Sequence, residues 1–275
     1  MLEEKRRESV EMPSCHLAVY QEATVATTEL YAAAARGASK EVDEWLKKGG
    51  CANWYNERAG GLTAVHAAAE QDEQTLATLL AFKSETEALI ARVDLLSTGN
   101  KGQPLHFAAS AGNAGCVRLL LKHNALVDAR NAYGNTPLML ACAGLRYDAA
   151  KALLDHGADP KAQTFKGETP LHCAIAGVMA CSRQQEGCDM RLIKLLLAEG
   201  ADLNAQDENG STALHVIVCI RENDTLLRLV EVLLKNGANP KIKDNKGKRP
   251  SDIMQLRPGG TELLTTLQSH EFLIF

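Results

Sequence analysis

Four histidines recur at one place in a repeated phrase: His66 after Thr63, His106 after Gln103, His172 after Thr169 and His215 after Thr212. An imidazole titrates near neutral pH and can serve as a base or a metal ligand, so chemistry would first be sought here. Their spacing argues for structure instead. Rings repeated once per unit stand in a row, far apart, and do not converge on one substrate. Met139 takes the same place after Thr136, a replacement that a catalytic row would not readily survive. A satisfied polar network accounts for such residues without catalysis. Cys173, Cys181 and Cys188 are separated by eight and seven positions, with His172 adjacent to the first. Zinc ligands come in tighter C-x-x-C-like pairs. Cys173 reads as a core thiol and the other two as part of an inserted loop. Metal-dependent hydrolysis in the Cys173–Cys188 region is the enzyme-class alternative. No Gly-rich phosphate loop follows a strand, and neither G-x-S-x-G nor H-E-x-x-H occurs. The chain reads as a non-enzyme, with no catalytic residue, metal site or cofactor expected.

The elements that must position these residues repeat with them. In Thr169-Pro170-Leu171-His172-Cys173-Ala174 the threonine oxygen can accept from first-turn amides. Pro170 then sits at the first helical position, where its missing N–H costs nothing. Leu195-Leu196-Leu197 supplies the apolar face of a second helix, and Gly200 its left-handed stop. Gly157 and Gly237 follow Leu153-Leu154 and Leu233-Leu234 in the same way. Openings at 63, 103, 136 (Thr136-Pro137), 169, 212 and 249 give intervals of 40, 33, 33, 43 and 37. A base period of 33 with three insertions explains all five and marks a stacked, all-α array. The surplus falls at Lys83–Thr98, where an outer helix could be extended, at Gly177–Met190, and near Arg221–Leu226. Residues 1–27 are expected to form a mobile tail, 28–270 the repeat domain, and 271–275 an apolar end. Phe272-Leu273-Ile274-Phe275 would pack on the last helix pair, mark a fragment edge, or add to a partner's sheet edge.

Composition narrows the function classes. The net charge is −4, the estimated pI is 6.1, and aromatics are only 4%, so nothing electrostatic argues for nucleic acid or an anionic membrane. Lys241, Lys243, Lys246, Lys248 and Arg249 form a basic cluster, read as a solvated loop or as a patch for an acidic partner. The eight cysteines include no C-x-x-C pair and read as reduced thiols. Apolar runs are far shorter than the ~18 residues a membrane helix needs. The N-terminus is too charged for a signal peptide. The expected location is intracellular, cytoplasmic or nuclear.

Taken as a set, these openings resemble the ankyrin repeat family, whose phrase is Thr-Pro-Leu-His-x-Ala at a 33-residue period. The resemblance covers roughly residues 28–270. It implies a solenoid of about seven helix pairs, atypical at both ends, with short outward loops or β-hairpins. It also implies framework roles for Thr63, His66, His106, Thr136, Pro137, Thr169, Pro170, His172, Thr212, His215, Gly157, Gly200 and Gly237. In the family this His bonds the Thr and adjacent backbone. The implied function is protein binding through a concave inner-helix surface and loop tips, by a chain that is a monomer by itself and uses neither nucleic acid nor membrane insertion. The candidate partner contacts are Trp54, Tyr55, Tyr133, Asn135, Phe165, Lys166, Glu168, Glu208, Asn209 and Lys246. Inner-helix residues Glu70, Gln71, Ser110, Ala111, Ala143 and Gly144 would floor the groove. An alternative is a substrate-recruiting adaptor of a larger enzyme complex such as a ubiquitin ligase, although no SOCS-box or F-box sequence is found. Leu196, Asp202, Leu203 and Asn204 resemble a site of asparaginyl hydroxylation.

Overall fold

Cap residues set where each helix starts and stops. The computed structural model describes residues 24–83, 90–182, 190–218, 224–255 and 261–273. They contain fourteen α-helices and no strand. Seven consecutive helix–turn–helix pairs follow the chain. These are α1 Val25–Arg36 with α2 Ser39–Lys47, α3 Ala64–Gln71 with α4 Glu73–Ala81, and α5 Pro104–Ala111 with α6 Ala114–Lys122. Then come α7 Pro137–Ala143 with α8 Tyr147–Asp155, α9 Pro170–Ser182 with α10 Arg191–Ala198, α11 Ala213–Ile217 with α12 Asp224–Lys235, and α13 Pro250–Gln255 with α14 Thr261–Leu273. Proline opens α5, α7, α9 and α13. Gly157, Gly200 and Gly237 follow the outer helices at φ +85°, +83° and +98°, and Asn124 does the same work at +63°.

The odd-numbered helices stack on one another from α1 to α13, and of the even-numbered ones α2 to α10 stack in turn, as do α12 and α14, giving an inner and an outer row. Ala33, Ala34, Ala68, Ala69, Ala108, Ala109, Ala141 and Ala174 are fully buried in the inner row. Their small side chains let neighbouring helices approach closely. The outer row is amphipathic: Leu76 with Leu79, Val117 with Leu120, Ile193 with Leu196, and Leu229 with Leu233 recur at i, i+3 or i+4 and are wholly buried. Each such leucine contributes about 1.5–3 kcal/mol by leaving water. No described helix is long and apolar enough to cross a membrane.

Several expected boundaries move. The first helix starts at Val25, capped by Thr24, ahead of residue 28. At the other end α14 runs through Leu273, so residues 271–273 are helical and not a separate end. The expected extension of an outer helix into Lys83–Thr98 is not seen in the described part, since α4 stops at Ala81 and Ile90 is not helical. Gly177–Ser182 continues α9, so Cys181 lies on a helix and not in a loop. Residues 1–23, 84–89, 183–189, 219–223, 256–260 and 274–275 lie outside the described residues. With them go most of the expected tail, part of each insertion, and Cys188. The loops are irregular rather than β-hairpins, and the one bridge among the described residues pairs Asn56 with Leu62.

Leu153 is fully buried between the rows, whereas Leu126 is 66% exposed. Urea unfolding should show Leu153→Ala costing about 2–5 kcal/mol, and Leu126→Ala changing stability by no more than about 0.5 kcal/mol. Equal costs would contradict the two-row core.

Candidate interaction surface

A recurring hydrogen-bond relay holds each loop onto the helix pair before it. The Thr63 N–H donates to His66 Nδ1 at 3.2 Å, and the Thr63 hydroxyl stands 2.8 Å from the same nitrogen. His66 Nε2 is 3.1 Å from the Gly102 carbonyl in the next loop. That oxygen can only accept, so Nε2 carries the proton and Nδ1 is the acceptor: a neutral ring in one tautomer. His106 reaches Asn135 O at 3.1 Å, His172 reaches Ser211 O at 3.2 Å, and His215 reaches Lys248 O at 3.0 Å. Their Nδ1 atoms accept the N–H of Gln103, Thr169 and Thr212. Burial disfavours the imidazolium, holding His66 down at about 4 and lowering His106 and His172. Met139 interrupts the relay. Its sulfur takes only a long contact, 3.4 Å, from the Thr136 N–H and offers nothing to the next loop. In the last pair Asp252 accepts the Arg249 N–H at 2.9 Å in the same geometry, again with no onward donor.

The loops themselves stack as a ladder. In four of them a short polar side chain caps two amides: Asn131 takes Tyr133 and Asn135, Thr164 takes Lys166 and Glu168, Asp207 takes Asn209 and Ser211, and Asp244 takes Lys246 and Lys248. One backbone bond joins each loop to the next: Ala132 N–H to Asn100 O, Phe165 to Tyr133, Glu208 to Lys166, and Asn245 to Asn209. Such close approach needs glycine. A Cβ on Gly134 would lie 2.7 Å from Phe165 N, and one on Gly210 the same distance from Asn245 N; both glycines have positive φ.

This ladder sets the predicted contacts in place. Tyr133 and Phe165 occupy consecutive tips, 65% and 71% exposed, with the Phe165 ring lying over Gly134. Lys166, Glu168, Glu208, Asn209 and Lys246 are also exposed, while Asn135 is half-buried with its carbonyl engaged by His106. Trp54 and Tyr55 stand apart from this group. Both are half-buried, and Trp54 packs edge-on against Tyr31 of α1, ring centres 6.5 Å apart. Of the floor residues, Glu70, Gln71, Ser110, Ala143 and Gly144 are exposed and Ala111 is half-buried. Asn204 accepts the Asn239 N–H with its side-chain oxygen at 2.8 Å.

Some contributors escaped the repeat pattern. Arg130 donates to Gly134 O and Gln163 O, and Gln206 to Gly210 O and Lys243 O, so both staple one loop to the next. They sit two residues after Asp128 and Asn204, and their shared register was the available signal. Asn113 caps the carbonyl end of α3 through Glu70 O, and Arg146 caps α5 through Ser110 O. Leu145 takes φ +53° where Gly37 and Gly112 stand in other pairs, with its side chain against Gly177 of α9. No signal marked it, because a leucine is not expected there. Among the described residues no group of His, Cys, Asp and Glu is placed to hold a metal. Cys51, Cys116, Cys142, Cys173 and Cys181 form no disulfide among the described residues. Burial pushes Cys173 up to about 12, with Glu168 adding to it, and leaves a protonated thiol that is a poor nucleophile.

A family model described as ankyrin repeats (3 copies) matches residues 82–164 and 178–254, more than half of the chain.

Two measurements check the relay. Met139→His should restore the missing bond to the Glu168 carbonyl and raise stability by about 1 kcal/mol in urea unfolding. A loss of stability would show that the site rejects the ring. His66 should remain neutral at pH 5.5 in an NMR titration, and a midpoint near 6.5 would refute its burial. Its lowered folded value means that the unfolded chain binds protons first. Stability is therefore full above about pH 6.5 and falls as the pH drops towards 4, at up to about 1.4 kcal/mol per pH unit for this ring.

Proposed function

The chain belongs to the ankyrin repeat family, and from that premise we propose that it is a non-catalytic protein-interaction module whose partner meets the loop tips centred on Tyr133 and Phe165. The observation carrying this reading is the pairing of these rings. Large apolar side chains left this exposed are few among the described residues, and these two stand on consecutive tips. A backbone bond of 3.3 Å from Phe165 N to Tyr133 O holds the tips in register. Aromatic anchors supply a disproportionate share of interface energy because they bury much area at little entropic cost. Here their backbones are already ordered by Asn131, Thr164 and the glycine contacts, so association spends little on immobilising the loops. Lys166 and Glu168 on the Phe165 tip, and Glu208, Asn209 and Lys246 on later tips, extend the surface and would form its polar rim. The exposed inner-helix residues Ser110, Ala143 and Gly144 are small and leave room for a partner's side chains. Trp54 belongs to the packing of the first pair in this reading and not to the contact surface. Location inside the cell, and a monomeric state by itself, are parts of the same proposal.

Changing Tyr133 and Phe165 together to Ala should weaken partner recovery in a pull-down by at least about 30-fold, the effect of losing about 2 kcal/mol. Urea stability should change little, since both rings face solvent. Undiminished recovery by a folded double variant would remove these residues from the surface.

A further inference from the structure

Two asparagine–glycine pairs occur in the chain, Asn209-Gly210 and Asn236-Gly237. The pairing has a chemistry of its own. The glycine nitrogen can attack the carbonyl carbon of the asparagine side chain, and glycine sets no side chain in its way. Both asparagines are exposed. In both pairs the glycine N–H is engaged, by the Asp207 carbonyl at 2.9 Å and by the Leu234 carbonyl at 3.1 Å. The side chains differ. Asn236 follows the last residue of α12, and its Nδ2 donates to the Val232 carbonyl at 2.7 Å. Asn209 stands on a loop tip, and its side-chain amide forms no hydrogen bond among the described residues.

The loop around Asn209 has no slack. Asp207 Oδ1 accepts the N–H of Asn209 and of Ser211, each at 2.8 Å, and the Asp207 N–H donates to Ser211 O at 3.0 Å. The same Ser211 oxygen takes the His172 ring at 3.2 Å. The Asn209 carbonyl accepts the Asn245 N–H at 2.9 Å. Gly210 lies so near the next loop that an added Cβ would stand 2.7 Å from Asn245 N. One residue thus sits both inside the bonds that close its own loop and in the bond that joins this loop to the following one.

We propose that Asn209 is a self-modifying site, which converts to isoaspartate with water as the only co-reactant and so uncouples the last loop from the row. The Gly210 nitrogen bonds to Asn209 Cγ and gives its proton to solvent. The Cγ–Nδ2 bond breaks, and the amide nitrogen leaves as ammonia. Water then opens the cyclic imide. Opening at Cγ leaves an aspartate with an ordinary main chain. Opening at the main-chain carbonyl leaves the chain running through Cβ and Cγ, one carbon longer, with a pendant carboxylate. No electrons are gained or lost. The Gly210 N–H must first leave the Asp207 carbonyl, so the reaction runs through a local opening of the turn and is slower than in the unfolded chain. At Asn236 the amide must be released from Val232 as well, which slows that pair further. The added carbon lies between two amides that now share one Asp207 oxygen, and the Asn209–Asn245 bond is lost with that spacing. A neutral tip next to Glu208 becomes acidic at the same time. The modification does not depend on any partner at Tyr133 and Phe165.

The test ages the full chain at mildly alkaline pH and follows both pairs by peptide mass mapping that separates aspartate from isoaspartate. In the folded chain Asn209 should convert at least about tenfold faster than Asn236, and in urea the two should convert at similar rates, since only the fold separates them. Hydrogen exchange on the aged chain should show the Asn245 amide losing protection. Asn209→Gln aged in the same way should keep that protection, and so should unaged Asn209→Asp, which carries the new charge on an ordinary main chain. Unfolding curves confirm that both variants are folded. Equal conversion at the two pairs in the folded chain, or an Asn209 that stays intact there, overturns the site. Isoaspartate at 209 with full protection at Asn245 overturns the uncoupling.

Discussion

A neutral imidazole that donates from Nε2 to the next loop is the contact on which the rest of the array depends. It joins three things: the start of an inner helix, the turn that follows an outer helix, and the seam between successive pairs. Each bond is worth only about 0.5–1.5 kcal/mol net. Its effect comes from repetition and from burial. His66, His106, His172 and His215 are all nearly or wholly buried, so an unsatisfied ring nitrogen would cost more than the bond gains. The loop geometry is thus held by a ring whose hydrogen bonds fix one tautomer. Where Met139 breaks the series, the seam is carried by apolar packing between α7 and α9, the Phe165–Tyr133 backbone bond and the Arg130 contact to the Gln163 carbonyl.

Much of this was legible in the amino-acid order, because the determinants are local. Thr169-Pro170 announces a helix start, Gly200 a stop, and the interval between openings the stacking period. The tautomer and the acceptor of each histidine were not legible, since the acceptor lies 29 to 39 residues away in sequence and only the stack brings it near. The length of α9 was misread for a different reason. Gly177 looked like the start of an insertion, yet it serves to admit Leu145 from the neighbouring pair, and the helix continues past it. The aromatic tips were found because their positions are variable in a regular frame. Trp54, chosen on the same ground, had a neighbour in Tyr31 that only folding supplies.

Frame and surface are divided by chemistry as well as by position. The frame is made from residues with restricted options: glycine at positive φ, proline at a helix start, alanine between inner helices, histidine at the seam. Side chains free of those duties point outward, and they differ from loop to loop. Tyr133 and Phe165 give way to Glu208 and Asn209 and then to Asn245 and Lys246. Net charge changes sign between the last two loops, so one rigid edge presents apolar, acidic and basic character in succession.

The seam histidines bond to backbone oxygen, and this has a consequence for descent. Gly102, Asn135, Ser211 and Lys248 have nothing in common as side chains, yet each accepts equally well. Any loop of the right shape can follow any histidine-bearing pair. A unit can be copied, deleted or moved within the gene without a matching change in its new neighbour. The coupling that holds the array together therefore places no memory of past neighbours in the loop sequences, and these can diverge as fast as selection for partners demands.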